Sequence, residues 1–254
     1  MSRDKGKRSG IGRMILRTGR MMDRTIRSKR DIEAYCYFYQ TGTIPHASGK
    51  HVLAVTDPSE MAVREAFEQV GTNLRFLFCK PGQQVIGIHS VMPREGKTFI
   101  AANLAATLAF SGKKVLLIEA NLRKPALAAL FGTSNETGLS RFLSGGTSNE
   151  VVQRTSIDQL WMLPAGPVPS NPAELLGNGR FRMLIDRGRE EFDFVIFDNA
   201  PASVFADGLI TSAACDLNLF VLRAGVSRKD EFKFMDQLTG TGSMSHLGLV
   251  LNDV

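Results

Sequence analysis

Downstream of residue 84, short apolar runs alternate with longer amphipathic segments. The runs are nearly continuous, as in VLLI, FVIF and LFVL, which is typical of parallel strands covered on both faces. They predict strands at Val85–His89, Lys114–Ile118, Gln159–Leu163, Phe194–Phe197, Leu217–Leu222 and Leu247–Leu251. Helices are predicted between them at 97–111, 138–144, 178–191, 205–213 and 229–238. This order predicts an α/β fold, a doubly wound domain with a mainly parallel sheet.

Two further patterns precede this series. Residues 59–78 carry an apolar stripe at helical spacing and predict a helix. The chain's three tyrosines, Tyr35, Tyr37 and Tyr39, alternate with Cys36 and Phe38, and this period of two predicts an extended segment. We expect the tyrosines to form the packed face of a strand.

The net charge of +6 is unevenly distributed. Residues 1–30 hold 11 of the 31 Lys and Arg residues but only two Asp residues, so the remainder is slightly acidic. We therefore divide the chain into a basic segment, 1–30, and a folded domain, 31–254, and expect no nucleic-acid partner. The three cysteines and four histidines are scattered and show no zinc-ligand spacing.

The basic segment also has a helical pattern. Its apolar residues recur at helical spacing up to about Lys29, with arginines largely on the other faces: Ile11, Met14, Ile15, Met22 and Ile26. One interpretation is docking on an anionic membrane surface, or on a partner just beneath it. The other is a helix packed on the domain with a solvated charged face.

The strongest chemical signal is the segment IGIHSVMPREGKTFIAANLA. An apolar strand runs through a loop into a helix that begins at Gly-Lys-Thr, the context of a phosphate-binding loop. Gly96 allows close approach of a phosphate, Lys97 is placed for the β- and γ-phosphates, and the Thr98 hydroxyl for Mg²⁺. The candidate nucleotide-binding residues are Pro93, Arg94, Glu95, Gly96, Lys97, Thr98 and Phe99. Val91 stands where the strict motif has its first glycine.

Two later strands end in acids. Glu119, followed by Asn121 and Arg123, closes one strand, and Asp198 closes another. Ligands of open α/β sheets bind at these carboxyl ends, and a carboxylate there can hold Mg²⁺. The candidate catalytic residues are Lys97, Glu119, Asn121, Arg123 and Asp198, and the candidate metal ligands are Thr98 and Asp198.

These motifs, together with EAFEQVGTNLRF, LPAGPVPSNPAELL and LGLVLNDV, resemble those of the bacterial tyrosine kinases, the cytosolic P-loop domains of polysaccharide co-polymerases. The resemblance covers about residues 24–254. It implies a P-loop NTPase fold of the deviant-Walker type, ATP and Mg²⁺, autophosphorylation of a C-terminal tyrosine cluster, and control of capsule or exopolysaccharide assembly. It also implies a cytoplasmic location at the inner face of the membrane, beside a membrane-embedded co-polymerase or the chain's own transmembrane part.

The sequence departs from this family at several positions. Glu119 and Asn121 replace the two acids of the second motif, and Glu68 and Gly71 replace two arginines linked to ring assembly, so homo-oligomerisation is uncertain. We expect the tyrosine tail to be absent, since the sequence ends at Val254; Tyr35, Tyr37 and Tyr39 are then the alternative acceptors. Asn252, at the end of the last strand, is a candidate contact to the base.

Three functions remain open. The first is an ATP-dependent tyrosine kinase, and the second is a catalytically weak scaffold that binds ATP and docks on a co-polymerase. The third is a partition-type ATPase. Met92 disfavours the third, because the partition ATPases carry a lysine at that position.

Overall fold

The structure, a computed structural model, describes residues 24–34, 37–49, 51–78, 84–146, 151–244 and 246–254. In these residues one sheet contains strands β1 Tyr39–Thr43, β2 Gln84–His89, β3 Val115–Glu119, β4 Gln153–Arg154, β5 Leu160–Leu163, β6 Phe194–Asp198, β7 Leu217–Arg223 and β8 Leu247–Asn252. Their spatial order is β1-β8-β7-β2-β6-β3-β5-β4. Neighbours run parallel except β4 and β5. The predicted α/β fold with a mainly parallel sheet is confirmed.

The described helices are α1 Lys29–Glu33, α2 Met61–Leu77, α3 Lys97–Phe110, α4 Leu127–Phe131, α5 Leu139–Leu143, α6 Pro172–Leu176, α7 Gly179–Glu191, α8 Asp207–Ser212 and α9 Asp230–Gly240. A 3₁₀ turn spans Ala54–Thr56. Six of the helices predicted from the sequence, from 59–78 to 229–238, are present, with ends that differ by only one or two residues. The pattern missed α1, α4, α6 and β4, because two to five residues are too few to show a period.

Buried side chains cover both faces of the sheet. On one face, α2 and α3 pack against alternate residues of the central strands, with Phe67, Leu104 and Ile86 all fully buried. On the other face, α7 packs against β3 and β6, and α9 packs against β7 and β8. This sandwich places the carboxyl ends of the parallel strands at one edge, where ligands of such folds bind.

Residues 24–34 lie against the body of the domain, next to α9. Ile26 is fully buried, its amide donates to Ser227 O at 2.8 Å, and Lys229 pairs with Asp31 at 3.4 Å. The predicted basic helix is wrong for residues 24–28, which are extended because their backbone pairs with the loop after β7. The rest of that helix lies outside the described residues, and the division at residue 30 stays a prediction.

The tyrosine segment alternates as predicted, but with the opposite face inward. Phe38 packs against the cluster that contains Ile26, whereas Tyr37 is fully exposed and Tyr39 is 44% exposed. The expectation of a packed tyrosine face is therefore wrong for Tyr37, because Phe38 supplies the apolar anchor instead. Tyr35 lies outside the described residues.

Candidate active site

The loop between β2 and α3 has the backbone of a phosphate cradle. Gly96 has a φ of 98°, and Arg94 has a φ of 69°, so both adopt the left-handed conformation. A Cβ atom on Gly96 would lie 2.2 Å from Asn252 Nδ2, which donates to Glu95 O at 3.1 Å. Glycine is therefore required here for both its conformation and its lack of a side chain. The first amides of α3 have no partner within the helix and can face a bound anion.

Lys97, the first residue of α3, is held inside this loop. Its Nζ donates to Ser90 Oγ at 2.7 Å, and its side chain is largely buried. Burial lowers the pKa of Lys97, while Asp198 and Glu95 act in the opposite direction. A buried ammonium group at the mouth of a helix N-terminus is well suited to neutralise phosphate oxygens.

Thr98 and Asp198 meet at the carboxyl end of β6. Thr98 Oγ1 donates to Asp198 Oδ2 at 2.6 Å, and Asp198 Oδ1 is buried with no hydrogen-bond partner among the described residues. Burial raises the pKa of Asp198 to about 7, Thr98 and Lys97 oppose this rise, and Glu119 adds to it. A hydroxyl beside an unsatisfied carboxylate oxygen fits the oxygen-ligand preference of Mg²⁺. This pair is the part of the site that suits the predicted metal.

Glu119 lies beside Asp198 in the sheet register but contacts different groups. One of its oxygens accepts the amide of Ala126 and, at 2.6 Å, that of Leu127, and the other accepts the amide of Ala165 at 3.3 Å. The carboxylate therefore binds the start of α4 and the loop after β5. Its predicted catalytic role stays a prediction, and these contacts assign it a structural one.

Asn121 and Arg123, which lie two and four residues after Glu119, make different contacts. Asn121 Oδ1 accepts the amide of Lys124 at 3.3 Å. Arg123 pairs with the buried Asp207 through contacts of 2.7 and 3.2 Å, and it lies 4.3 Å from the ring centre of Phe205. Asp207 and the stacking ring fix the guanidinium, which is one-third exposed, at the rim of the site. A cation held there could stabilise charge on a transferred phosphoryl group.

Glu95 supports the loop from within. Its side chain is fully buried, accepts the amide of Met92 at 2.8 Å, and contacts Ser227 Oγ. Burial, and then the charge of Glu95, raise the pKa of the adjacent Glu231 at the start of α9 to about 8. The Glu95 side chain thus joins the phosphate loop to α9 and leaves only its backbone for a ligand.

A cleft of about 290 Å³ opens beside Gly96. It is lined by His46, Ala47, Gly49, His51, Val52, Gly96, Phe99, Arg223, Asn252 and Asp253. Asn252 and Phe99 were predicted at a nucleotide site, and both face this cleft. Pro93 and Arg94, also predicted, are exposed on the loop. The phosphate loop and a partly apolar cleft are thus contiguous, as a nucleotide requires.

Three positioning residues were missed by the sequence reasoning. Ser90 accepts a hydrogen bond from Lys97, and Glu231 lies beneath Glu95. Asn103 connects the wall of the cleft to α3. Its side chain accepts from Val55 N at 3.0 Å and donates to Val52 O at 2.7 Å and to Phe99 O at 2.8 Å. Only Asn103 gave a signal, as an amide among alanines and leucines, because a buried polar side chain needs partners.

Comparison with known proteins identifies the family. Over 204 residues the chain is 34% identical to the tyrosine-protein kinase YwqD of Bacillus subtilis. The matched region covers 80% of this chain and 86% of YwqD. The chain belongs to the bacterial tyrosine kinases. It is also 34% identical over 193 residues to the tyrosine-protein kinase CpsD of Streptococcus agalactiae, with coverage of 75% and 83%. No family model matches the chain.

Solved structures of bacterial tyrosine kinases share this fold. The kinase domain of the Escherichia coli tyrosine kinase Etk superposes with a TM-score of 0.83 at 30% identity and covers 89% of this chain and 93% of that domain. The full-length Etk of strain K12 is much longer, and the chain spans 28% of it. Septum-site ATPases share the P-loop NTPase fold at lower similarity, with a TM-score of 0.56. In the described residues, no helix combines the length and apolar character of a membrane span.

Proposed function

We propose that this chain binds Mg²⁺-ATP and transfers its γ-phosphate to tyrosine. The observation that carries the proposal is the pair Thr98–Asp198, 2.6 Å apart, which leaves one buried carboxylate oxygen free beside Lys97. Thr98 and Asp198 would hold Mg²⁺, which supplies charge neutralisation at the β- and γ-phosphates when bound. Membership of the bacterial tyrosine kinases supports the same reaction.

The remaining residues have distinct roles in this proposal. The backbone of Arg94, Glu95 and Gly96 cradles the phosphates, and Lys97 neutralises the β- and γ-oxygens. The nucleoside occupies the cleft beside Phe99 and Asn252. Arg123, fixed by Asp207, stabilises charge that develops during transfer.

Membership of the family also supports a proposal for the cellular setting. We propose that the chain regulates exopolysaccharide or capsule synthesis from the cytoplasmic face of the membrane. Its partner would be a membrane-embedded co-polymerase or its own transmembrane part, with the basic segment, 1–30, on the anionic surface and its last residues, 24–30, packed on the domain. Glu68 lies exposed on α2 where a positive charge would favour self-association, so a stable homo-oligomer is not part of the proposal.

The test is phosphorylation in vitro. The 254-residue chain is incubated with labelled ATP and Mg²⁺, together with a random Glu/Tyr copolymer as acceptor. We expect transfer that EDTA and Lys97→Ala both abolish, because each removes charge neutralisation at the phosphates. Equal labelling by the wild type and Lys97→Ala would contradict the proposal.

A second function, an ATP-dependent scaffold with weak kinase activity, is favoured by one observation. Both oxygens of Glu119 are taken up by backbone amides, and Asn121 cannot accept a proton. Nucleotide binding measured by calorimetry, alongside the transfer assay, separates the two functions. Tight Mg²⁺-ATP binding without transfer supports the scaffold, whereas robust transfer by the unmodified chain removes it.

A further inference from the structure

The tyrosines of this chain are confined to one short segment. All three lie within residues 35–39, so autophosphorylation of these 254 residues on tyrosine can occur only there. The structure describes two of the three, and they differ in environment. Tyr37 precedes β1 and its side chain is fully exposed, whereas Tyr39 is the first residue of β1 and is 44% exposed.

The orientation of Tyr37 is set by its neighbours. Phe38 packs against the cluster of Ile26, Ile32 and α9 residues, whereas its neighbours Tyr37 and Tyr39 are exposed, so adjacent side chains face opposite ways. Tyr37 is thus presented outward beside the packed Phe38, at the sheet edge formed by β1.

The width of the sheet separates this segment from the phosphate site of its own chain. The register links Tyr39 to Gly248 of β8, Leu219 of β7, Ile88 of β2 and Asp198 of β6, so Tyr39 is level with Asp198. Four strand spacings, about 19 Å, lie between them across the sheet. A tyrosine side chain cannot span this distance, so a phosphate would have to come from a second copy.

We propose that Tyr37 is the principal autophosphorylation site and that it is modified in trans. The inference rests on the proposed kinase function. The Tyr37 hydroxyl oxygen attacks the γ-phosphorus of ATP held by another copy, and the bond from that phosphorus to the β,γ-bridging oxygen breaks. Phosphotyrosine forms, ADP leaves with the bonding electrons, and the phenolic proton passes to solvent.

The experiment uses two forms of the full 254-residue chain. The donor carries Tyr35→Phe, Tyr37→Phe and Tyr39→Phe with an intact phosphate loop, and the acceptor carries Lys97→Ala with its tyrosines intact. We expect label on the acceptor that increases with donor concentration and maps to Tyr37 by mass spectrometry. Tyr37→Phe in the acceptor should remove most of the label, while Tyr39→Phe, the matched control, should remove little.

A Glu/Tyr copolymer in the same assay separates two kinds of failure. If the donor labels the copolymer but not the acceptor, or if label on the acceptor survives Tyr37→Phe, the inference is overturned and the kinase function stands. If neither is labelled, the proposed function fails and the inference fails with it. If the rate of labelling per wild-type chain does not depend on the chain concentration, transfer in trans is overturned.

Discussion

Two neighbouring strands end in a buried carboxylate at the same level of the sheet, yet the two carboxylates do opposite things. Glu119 of β3 is paired in register with Asp198 of β6, and both are at most 2% exposed. The carboxylate of Glu119 accepts three backbone amides, whereas the carboxylate of Asp198 accepts only the Thr98 hydroxyl and keeps one oxygen unsatisfied among the described residues. A buried carboxylate with full hydrogen bonding stabilises a fold, and one without it is available to a cation.

The largest expected effect is on the Asp198 side of this comparison. Asp198→Asn should weaken Mg²⁺-ATP binding on the order of 10²–10³-fold, because a metal-bound carboxylate contributes several kcal/mol. Calorimetry with and without EDTA measures it. Without the metal, wild type and variant should bind ATP similarly; an equal loss in both conditions would contradict a metal role.

Glu119 should matter for stability instead. Glu119→Ala leaves three buried amides without an acceptor and should lower the free energy of unfolding by about 3 kcal/mol. Urea denaturation at pH 7 measures it, and Asn121→Ala is the matched control because Asn121 accepts only one amide, at 3.3 Å. If Glu119→Ala unfolds like wild type while transfer disappears, Glu119 is catalytic and its structural assignment is wrong.

The sequence identified both acids but could not distinguish them. Each follows an apolar strand, and nothing in VLLIEANLRKP shows that the chain returns so that the amides of Ala126 and Leu127 meet Glu119. That contact depends on α4, a five-residue helix too short to show a period. Lys97, Thr98 and Asp198 were predictable because a loop motif and strand ends fix their positions by topology alone.

The same limit explains the tyrosine segment. Its period of two predicted an extended backbone, but either set of alternating side chains could have been the inward one. Phe38 faces inward because the cluster around Ile26 and α9 accepts it, and residues 24–34 are brought there by backbone pairing that carries no sequence period. The local sequence pattern therefore predicts the backbone conformation, whereas the face that turns inward depends on packing partners that are distant in sequence.

Asn121 lies two residues after Glu119, and its backbone N–H donates to the backbone carbonyl of Asp198 at 3.0 Å. Asn121→Asp would place a proton acceptor near Asp198 and should raise the rate of phosphoryl transfer about tenfold or more if general-base help is what the site lacks. Labelled-phosphate incorporation into a Glu/Tyr copolymer measures the gain. Asn121→Ser, which adds no charge, is the control, and equal rates for both variants would contradict the idea.

The smallest effect concerns pH and separates stability from binding at one residue. Burial raises the pKa of Asp198 from 3.8 to about 7, so the folded chain keeps a proton that the unfolded chain releases. The contribution of Asp198 to the free energy of unfolding is therefore complete below pH 3.8 and is lost as the pH rises through 7. Mg²⁺-ATP binding should change in the opposite sense, because the metal requires the carboxylate.

Between pH 6 and 8 we therefore expect Mg²⁺-ATP affinity to rise a few-fold while the thermal stability of the ligand-free chain falls. Calorimetry and thermal denaturation measure the two trends. Glu231, whose pKa is raised to about 8, weakens stability in the same direction, so Asp198→Asn should reduce the fall without abolishing it. If the variant shows the wild-type fall in full, Asp198 is already ionised in the folded chain, and its pKa is not raised.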